Sequence, residues 1–219
     1  MLVEIYSDIV CPWCYIGQHQ FAEALARSDH ESDLDVVWRA YQLDPRAPAQ
    51  PTPLFATYVK KFGGEAQAEA AISRMTDAAA GVGLELRLDQ AQRVNTMEAH
   101  RLVWFAQSRG LQWETEVRLM EAYMIEGRNV ADLFTLVELA ESVGLDALEV
   151  DEFLAGDEGR IEVQAELAGA AARDVMAVPT FFFAKQVGIP GAQDPDTFVR
   201  IIDRAMTRLT DAEAPSPDQ

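Results

Sequence analysis

Leu2-Val3-Glu4-Ile5-Tyr6-Ser7-Asp8-Ile9-Val10-Cys11-Pro12-Trp13-Cys14 is the stretch on which the reading of the chain turns. Leu2 to Tyr6 is a strand-like run, and a helix-like run follows from Tyr15 to about Arg27. Between them lie the only two cysteines of the chain. Two thiols in one Cys-x-x-Cys at a strand-to-helix junction read first as a redox site. At a helix N-terminus Cys11 meets unpaired backbone N–H groups and the positive end of the helix dipole. Both favour the thiolate, which is the nucleophile. Cys14, one turn on, can close a disulfide with Cys11. The same spacing is half of a zinc site, and an inert buried pair is a third reading. Zinc needs two more ligands. No further cysteine exists, and His19, His30 and His100 have no paired spacing, so no metal is expected.

A second strand is expected over Leu34–Tyr41, giving a strand–helix–strand unit with a parallel pair. Pro45, Pro48, Pro51 and Pro53 then break the pattern. From about Leu54 to Arg173 the chain reads as helical. Apolar residues recur at three- and four-residue spacing in Met97–Ser108, Glu114–Glu126, Leu133–Ser142 and Ala147–Leu154. Ala66–Ala80 is alanine-rich, and Asp157–Ala172 reads as one more helix. The strand signal returns at Thr180-Phe181-Phe182-Phe183 and Val187-Gly188-Ile189, a hairpin pattern. The phenylalanines read as a buried core strand. A last helix is expected from about Asp196 to Leu209, and Asp211 to Gln219 read as a frayed tail. The fold class is α/β. Residues 1–50 plus 174–212 form a discontinuous domain, 51–173 an inserted all-helical domain with its own core, and 213–219 a disordered tail.

At 219 residues the chain can bury a large core without a disulfide staple. Its 49% hydrophobic and 25% charged residues are ordinary for a globular protein. The net charge of −18 is not, and it argues against a nucleic-acid surface or an anionic membrane as partner. No arginine or lysine precedes Arg27, so the helix terminus must activate Cys11 against a negative overall field. Met1 to Ile5 lacks a signal-peptide pattern and no run spans a membrane, so the cytoplasm is expected. There the thiols rest reduced and a disulfide is transient.

Other residues divide between structure and chemistry. Pro179 in Val178-Pro179-Thr180 either starts the strand or forms a cis bond in a tight turn facing the thiols. In the second case the Val178 backbone is open to an extended substrate. Asp8 reads as a helix cap in preference to a proton acceptor for Cys14, since its charge would raise a neighbouring thiol's pKa. Trp13 reads as a substrate platform, His100 as a satisfied core histidine, and Arg39 and Tyr41 as packing residues.

Several blocks in one order carry a resemblance: Asp8 to Gly17, Asn95-Thr96 with Ala99-His100-Arg101-Leu102, Val178-Pro179-Thr180-Phe181, and Gly191-Ala192-Gln193. Together they resemble the DsbA family of the thioredoxin superfamily, in its FrnE-like branch. The resemblance implies a thioredoxin-like fold with a large inserted all-helical domain. It implies Cys11 as nucleophile, Cys14 as resolving thiol and Pro179 as the cis-proline. Pro12, Trp13, Val178, Thr180, Gly191, Ala192 and Gln193 would then line the substrate site. Where the family usually has a glycine-rich approach to the proline, this chain has Asp174-Val175-Met176-Ala177. It carries no cysteine for a second redox centre.

The leading expectation is a thiol–disulfide oxidoreductase acting on disulfide- or thiol-bearing proteins or small molecules. No bound cofactor is expected, with glutathione or thioredoxin as candidate electron donor or acceptor. A monomer or homodimer is expected. A glutathione-dependent enzyme is the first alternative, since the same architecture resembles kappa-class glutathione transferases and 2-hydroxychromene-2-carboxylate isomerases. Those relatives place serine where Cys11 stands and lack the second cysteine. A non-enzymatic holdase is the second alternative.

Overall fold

Leu2–Ser7 forms strand β1, and every side chain from Val3 onward is buried. A near-continuous apolar run of this kind suits a central strand covered on both faces. In this computed structural model, which describes residues 1–184 and 188–213, β1 is indeed central. The sheet order is β2-β1-β5-β6, with β2 at Asp35–Ala40, β5 at Thr180–Phe183 and β6 at Ile189–Pro190. β2 runs parallel to β1 with Trp38 opposite Ile5, and β5 runs antiparallel to β1 with Phe181 opposite Ile5. Helix α1, Pro12–Arg27, makes the crossover. The expected parallel unit and the β5–β6 hairpin are both present. Val187 of the expected hairpin and residues 214–219 of the expected tail lie outside the described residues.

The helical insertion comprises α2 (Leu54–Phe62), α3 (Glu65–Ala80), α4 (Met97–Gln107), α5 (Gln112–Met124), α6 (Leu133–Ser142), α7 (Ala147–Ala155) and α8 (Arg160–Ala172). Four local differences from the sequence reading appear, the first three with a clear physical cause. Helix α1 starts at Pro12 rather than Tyr15, because proline's fixed φ suits the first helical position. Helix α8 starts at Arg160 rather than Asp157, because Gly159 holds a left-handed φ of 75° that ends any helix arriving from Asp157. Thr52–Pro53 (β3) pairs antiparallel with Gln92–Arg93 (β4), a ladder too short and too distant in sequence for local pattern to reveal. The last helix, α9, spans Pro195–Glu213, so it runs past Leu209 and takes in Asp211 to Glu213, which the sequence reading had given to the tail. Among the described residues no helix is long and apolar enough to cross a membrane.

Phe21 on α1 is the aromatic hub. Its ring centroid lies 5.3 Å from Phe181, 6.2 Å from Phe183, 5.2 Å from Phe198 and 6.3 Å from Trp113. It thereby joins α1 to β5, α9 and α5. Such ring pairs contribute about 0.5–1.5 kcal/mol each beyond area burial. Buried apolar side chains of the sheet and of the insertion form one connected cluster.

Polar groups fix how the insertion sits on the sheet. Glu4, in the middle of β1, receives Arg39 Nε at 3.0 Å and Arg173 Nη1 at 2.7 Å. Burial pushes its carboxyl up, but the two guanidinium groups override that and hold it below the ordinary value. Arg39 also donates to Glu166 of α8 at 2.9 Å, and the second Glu166 oxygen accepts the Ala40 N–H at 2.9 Å. Gln112, first in α5, accepts from Trp38 N at 3.0 Å and donates to Trp38 O at 3.2 Å, which closes the free edge of β2. Arg101 is fully buried. It donates to the carbonyls of Phe153 (2.9 Å), Gly156 (2.8 Å) and Glu158 (2.9 Å), where α7 ends, and pairs with Glu98.

Two consequences can be measured. Arg101→Met strips the end of α7 of its donors and should lower the unfolding free energy by about 3–5 kcal/mol, read by urea denaturation. A Cβ at Gly17 would stand 2.9 Å from Pro179 Cγ and 3.4 Å from Ala192. Gly17→Val should therefore lower stability by about 1–3 kcal/mol in the same assay, because the added side chain has no room between α1 and the cis-proline loop.

Candidate active site

The end of β1 sets the thiol geometry. The chain turns after Ser7, with the Cys11 N–H donating to Asp8 O at 2.9 Å. Cys11 becomes the N-cap of α1, in extended conformation, and Pro12 takes the first helical position. Cys11 O then accepts the N–H groups of Cys14 (3.0 Å) and Tyr15 (3.2 Å). Both cysteines are free thiols, Cys11 4% exposed and Cys14 fully buried.

The environment splits the two sulfurs. The Cys14 thiol donates to the Cys11 sulfur, and the N–H groups of Cys14 and Trp13 add to it. These donors outweigh burial and the Asp8 charge, so the Cys11 pKa falls below that of an ordinary thiol. Burial pushes Cys14 well up, and the hydrogen bond and charge of Cys11 push it further.

The Val178–Pro179 bond is cis, as the sharper of the two sequence readings has it. Val178 O lies 3.7 Å from Cys11 Sγ. Pro179 O accepts the Gly191 N–H at 2.7 Å, and Gly191 holds a φ of 83° that suits glycine. Ala192 lies beside Gly17 and Pro179. Gln193 turns its amide back onto Pro190 O at 3.0 Å and Gly191 O at 3.3 Å. Thr180 Oγ1 donates to Ala177 O at 2.7 Å. The structure thus brings Cys11, Cys14, Val178, Pro179, Gly191 and Ala192 into one neighbourhood, while the Gln193 side chain serves its own loop. Trp13 is 41% exposed beside buried Pro12, and Met176 is 86% exposed.

Asp8 is not the helix cap expected of it. The cap carries no side-chain hydrogen bond, because the Asp8 carboxylate turns away to accept Leu43 N at 2.7 Å and to face His100 Nε2 at 3.4 Å. His100 is a buried core histidine, as read, and donates to Tyr41 O at 2.9 Å. Burial draws its pKa down, but Asp8 and the charge of Glu116 raise it overall. Asn95 ties the proline-rich loop to this corner, donating to Pro45 O and Ala47 O at 3.2 Å each. Arg39 and Phe181–Phe183 are structural, as read.

Three residues here were missed by sequence reasoning. Tyr58 of α2 lies near Cys11, and burial and the Cys11 charge raise its phenol pKa. Ser7 and Glu116 are each 1% exposed. Glu116 carried a readable signal: it falls on the face of α5 that also holds Leu119, Met120 and Tyr123, where a charge is out of place. A cavity of about 210 Å³ opens beside Val10, lined by Leu43, Tyr58, Lys61, Arg93 and Tyr123. Among the described residues no group of three or more His, Cys, Asp or Glu could hold a metal ion.

Comparison with known proteins agrees with this architecture. Residues 2–203 match the model of the DSBA-like thioredoxin domain. The chain is 29% identical over 202 residues to the uncharacterised protein YwbO of Bacillus subtilis, covering 91% of this chain and 94% of that one. A crystal structure of a probable DsbA oxidoreductase from Streptomyces coelicolor superposes with a TM-score of 0.88 at 33% identity, over 100% of this chain and 93% of that one. The cytosolic disulfide reductase DsbM of Pseudomonas aeruginosa, solved with glutathione, shares the fold at 18% identity and a TM-score of 0.67, over 94% and 100% of the two chains. With a cysteine pair at the start of α1, a cis-proline loop beside it and a family match along nearly its whole length, the chain belongs to the DSBA-like thioredoxin domain family.

Proposed function

We propose that this protein is a thiol–disulfide oxidoreductase in which Cys11 is the nucleophile and Cys14 the resolving thiol. The observation that carries the reading is the placement of two free thiols one turn apart at the start of α1, with Val178 O of the cis-proline loop 3.7 Å from Cys11 Sγ; the displacement of the two thiols, Cys11 down and Cys14 up, agrees with it. Exchange proceeds through the thiolate of the attacking sulfur, which a lowered pKa makes more abundant, while the second sulfur stays protonated until the mixed disulfide forms. Cys11 attacks a substrate disulfide, and the substrate leaves as a thiolate when Cys14 closes on Cys11. Run in reverse, the same step delivers a disulfide to a dithiol substrate. Val178 O and Thr180 border the entry, Pro179, Gly191, Ala192 and Gln193 form its far rim, and Pro12 and Trp13 its near one.

Protein thiols and small thiols both fit this chemistry. The 210 Å³ cavity beside Val10 carries Lys61 and an Arg93–Asp44 ion pair in its wall, and Lys61 offers a partner to a carboxylate-bearing small thiol such as glutathione as electron donor or acceptor. The glutathione-bound DsbM structure supports the same choice. Thioredoxin would serve the same role for a protein donor. The cytosolic setting of DsbM supports a cytoplasmic one here, where the pair would rest reduced. A transferase or isomerase that must hold glutathione as a bare thiolate is disfavoured, because Cys14 stands within hydrogen-bond reach of the sulfur that would be attacked first.

Cys11→Ser should abolish reduction of glutathione disulfide and of a model protein disulfide, and Cys14→Ser should trap Cys11 mixed disulfides visible by mass spectrometry. Full turnover in Cys11→Ser would sink the reading. The rate of Cys11 alkylation by iodoacetamide should rise with pH through a midpoint below that of a free thiol. The Asp8 charge raises the Cys11 pKa, so Asp8→Asn should move that midpoint to still lower pH. An upward shift would contradict the assignment of Asp8.

A further inference from the structure

Acidic side chains outnumber basic ones in this chain by 36 to 18, so a cation can readily find a carboxylate. Most of the described arginines have done so, as Arg93 has with Asp44 at 2.7 Å and Arg39 with Glu166 at 2.9 Å. Arg46, Lys60 and Lys61 have no carboxylate partner among the described residues. All three are exposed, and all three line two adjoining cavities on the Val10 side of the thiols.

The inner cavity, about 210 Å³, is walled by Val10, Leu43, Leu54, Val94 and Tyr58, with Lys61 as its unpaired cation. Val10 directly precedes Cys11, so this cavity adjoins the reacting sulfur. Tyr58 is 9% exposed, and its hydroxyl has no hydrogen-bond partner among the described residues. Burial and the Cys11 charge both raise its pKa, so at neutral pH it is a donor. A hydroxyl buried this far without a partner costs free energy until a ligand supplies an acceptor. The outer cavity, about 550 Å³, is lined by Arg46, Lys60, Thr52 and Thr57. Asp44, Thr57 and Arg93 belong to both linings, and the Asp44–Arg93 ion pair makes the ridge between them electrically neutral.

We propose that this trough takes a small thiol whose sulfur is joined through an uncharged, amide-bearing arm to a phosphate. The proposal rests on the oxidoreductase reading and extends its substrate class beyond glutathione. The sulfur meets Cys11. The arm lies in the inner cavity, where an amide carbonyl accepts from the Tyr58 hydroxyl. The phosphate lies in the outer cavity against Lys60 and Arg46, with the Thr52 and Thr57 hydroxyls as further donors. Charge placement separates this ligand from glutathione. Glutathione carries its carboxylates and an ammonium within a few bonds of its sulfur. They would fall in the mainly apolar inner cavity, where the ammonium would face Lys61 and Arg93 as like charges. The cations of the outer cavity answer a negative charge placed farther from the sulfur.

The chemistry is ordinary exchange. With the symmetrical disulfide of such a thiol, the Cys11 thiolate attacks one sulfur, the substrate S–S bond breaks, and the first thiol leaves with the electron pair. The Cys14 sulfur then attacks the Cys11 sulfur and displaces the second thiol, on which the Cys14 proton ends. Two thiols are formed, the cysteine pair is oxidised by two electrons, and the substrate disulfide is the oxidant.

The test compares three disulfides as oxidants of the reduced protein in single turnovers, read by acid quench and mass spectrometry. Coenzyme A disulfide carries the arm and the phosphates, pantethine carries the arm alone, and glutathione disulfide carries neither. Coenzyme A disulfide should react roughly tenfold faster than pantethine, as expected of two exposed charge pairs, and the advantage should shrink with added salt. Lys60→Gln combined with Arg46→Gln should erase that advantage and leave the pantethine and glutathione disulfide rates unchanged. Arg204→Gln, which removes an exposed charge of the same sign from α9, should leave the ratio as it is. Tyr58→Phe should slow coenzyme A disulfide and pantethine by the same factor, because the two share the arm. Equal wild-type rates for coenzyme A disulfide and pantethine, or an undiminished ratio in the double variant, would overturn the proposal alone. Failure of all three disulfides to oxidise the cysteine pair would overturn the oxidoreductase reading and this one with it.

Discussion

A charge can be buried between the sheet and the helical insertion only where a partner is already waiting for it. Desolvating one ion costs several kcal/mol even after the protein relaxes. Apolar burial holds the two parts together, but it is non-directional and leaves many orientations nearly equal. The polar contacts remove that freedom. Glu4 needs both Arg39 and Arg173, Arg39 needs Glu166, and Glu166 needs the Ala40 N–H. Sliding α8 by one turn would break the Arg39–Glu166 and Arg173–Glu4 pairs and orphan Glu166 and Arg173 together. The Gln112 side chain adds a second lock by imitating a neighbouring strand along Trp38. The insertion therefore has one seat, and the residues it brings to the thiols arrive in one arrangement.

That seat also explains how Cys11 is activated in a chain of net charge −18. Acidic side chains such as Asp35, Glu69 and Asp151 are exposed. At physiological ionic strength their fields fade over about 8 Å. Hydrogen bonds to a charged group, by contrast, contribute roughly 1.5–3 kcal/mol each and act at contact. Cys11 receives such donors from Cys14 and Trp13, and among the opposing charges Asp8 is the one that registers. Local donors outweigh the distant field, so the acidic surface does not decide the thiol chemistry.

The sequence reached the fold and the centre of the site because both rest on local pattern. The apolar run of β1, the Cys-Pro-Trp-Cys spacing, and Val178-Pro179-Thr180 ahead of three phenylalanines each announce their element within a few residues. The β3–β4 ladder and the true role of Asp8 stayed hidden because they depend on contacts far along the chain. Leu43 N, which claims the Asp8 carboxylate, is 35 positions away, and Pro45 and Ala47, which Asn95 secures, are about 50 from Asn95. Glu116 stands between the two cases. Its place among Leu119, Met120 and Tyr123 on α5 marks it as buried, but nothing local says that His100 of α4 and Ser7 of β1 are its neighbours.

The proline-rich break thus has a chemical role as well as a topological one. Left free, the Asp8 carboxylate would swing to the open N–H groups at the start of α1, where aspartate is a favoured cap. It would then compete with the Cys11 thiolate for the same donors and raise that thiol further. The Leu43 N–H prevents this by holding one Asp8 oxygen at 2.7 Å, and His100 draws the other aside. Leu43 stays in position because Asn95 fastens the following loop at Pro45, Ala47 and Pro48. Asn95 and His100 belong to the insertion, so the donors at the head of α1 remain available to Cys11 through residues folded some ninety positions later in the chain.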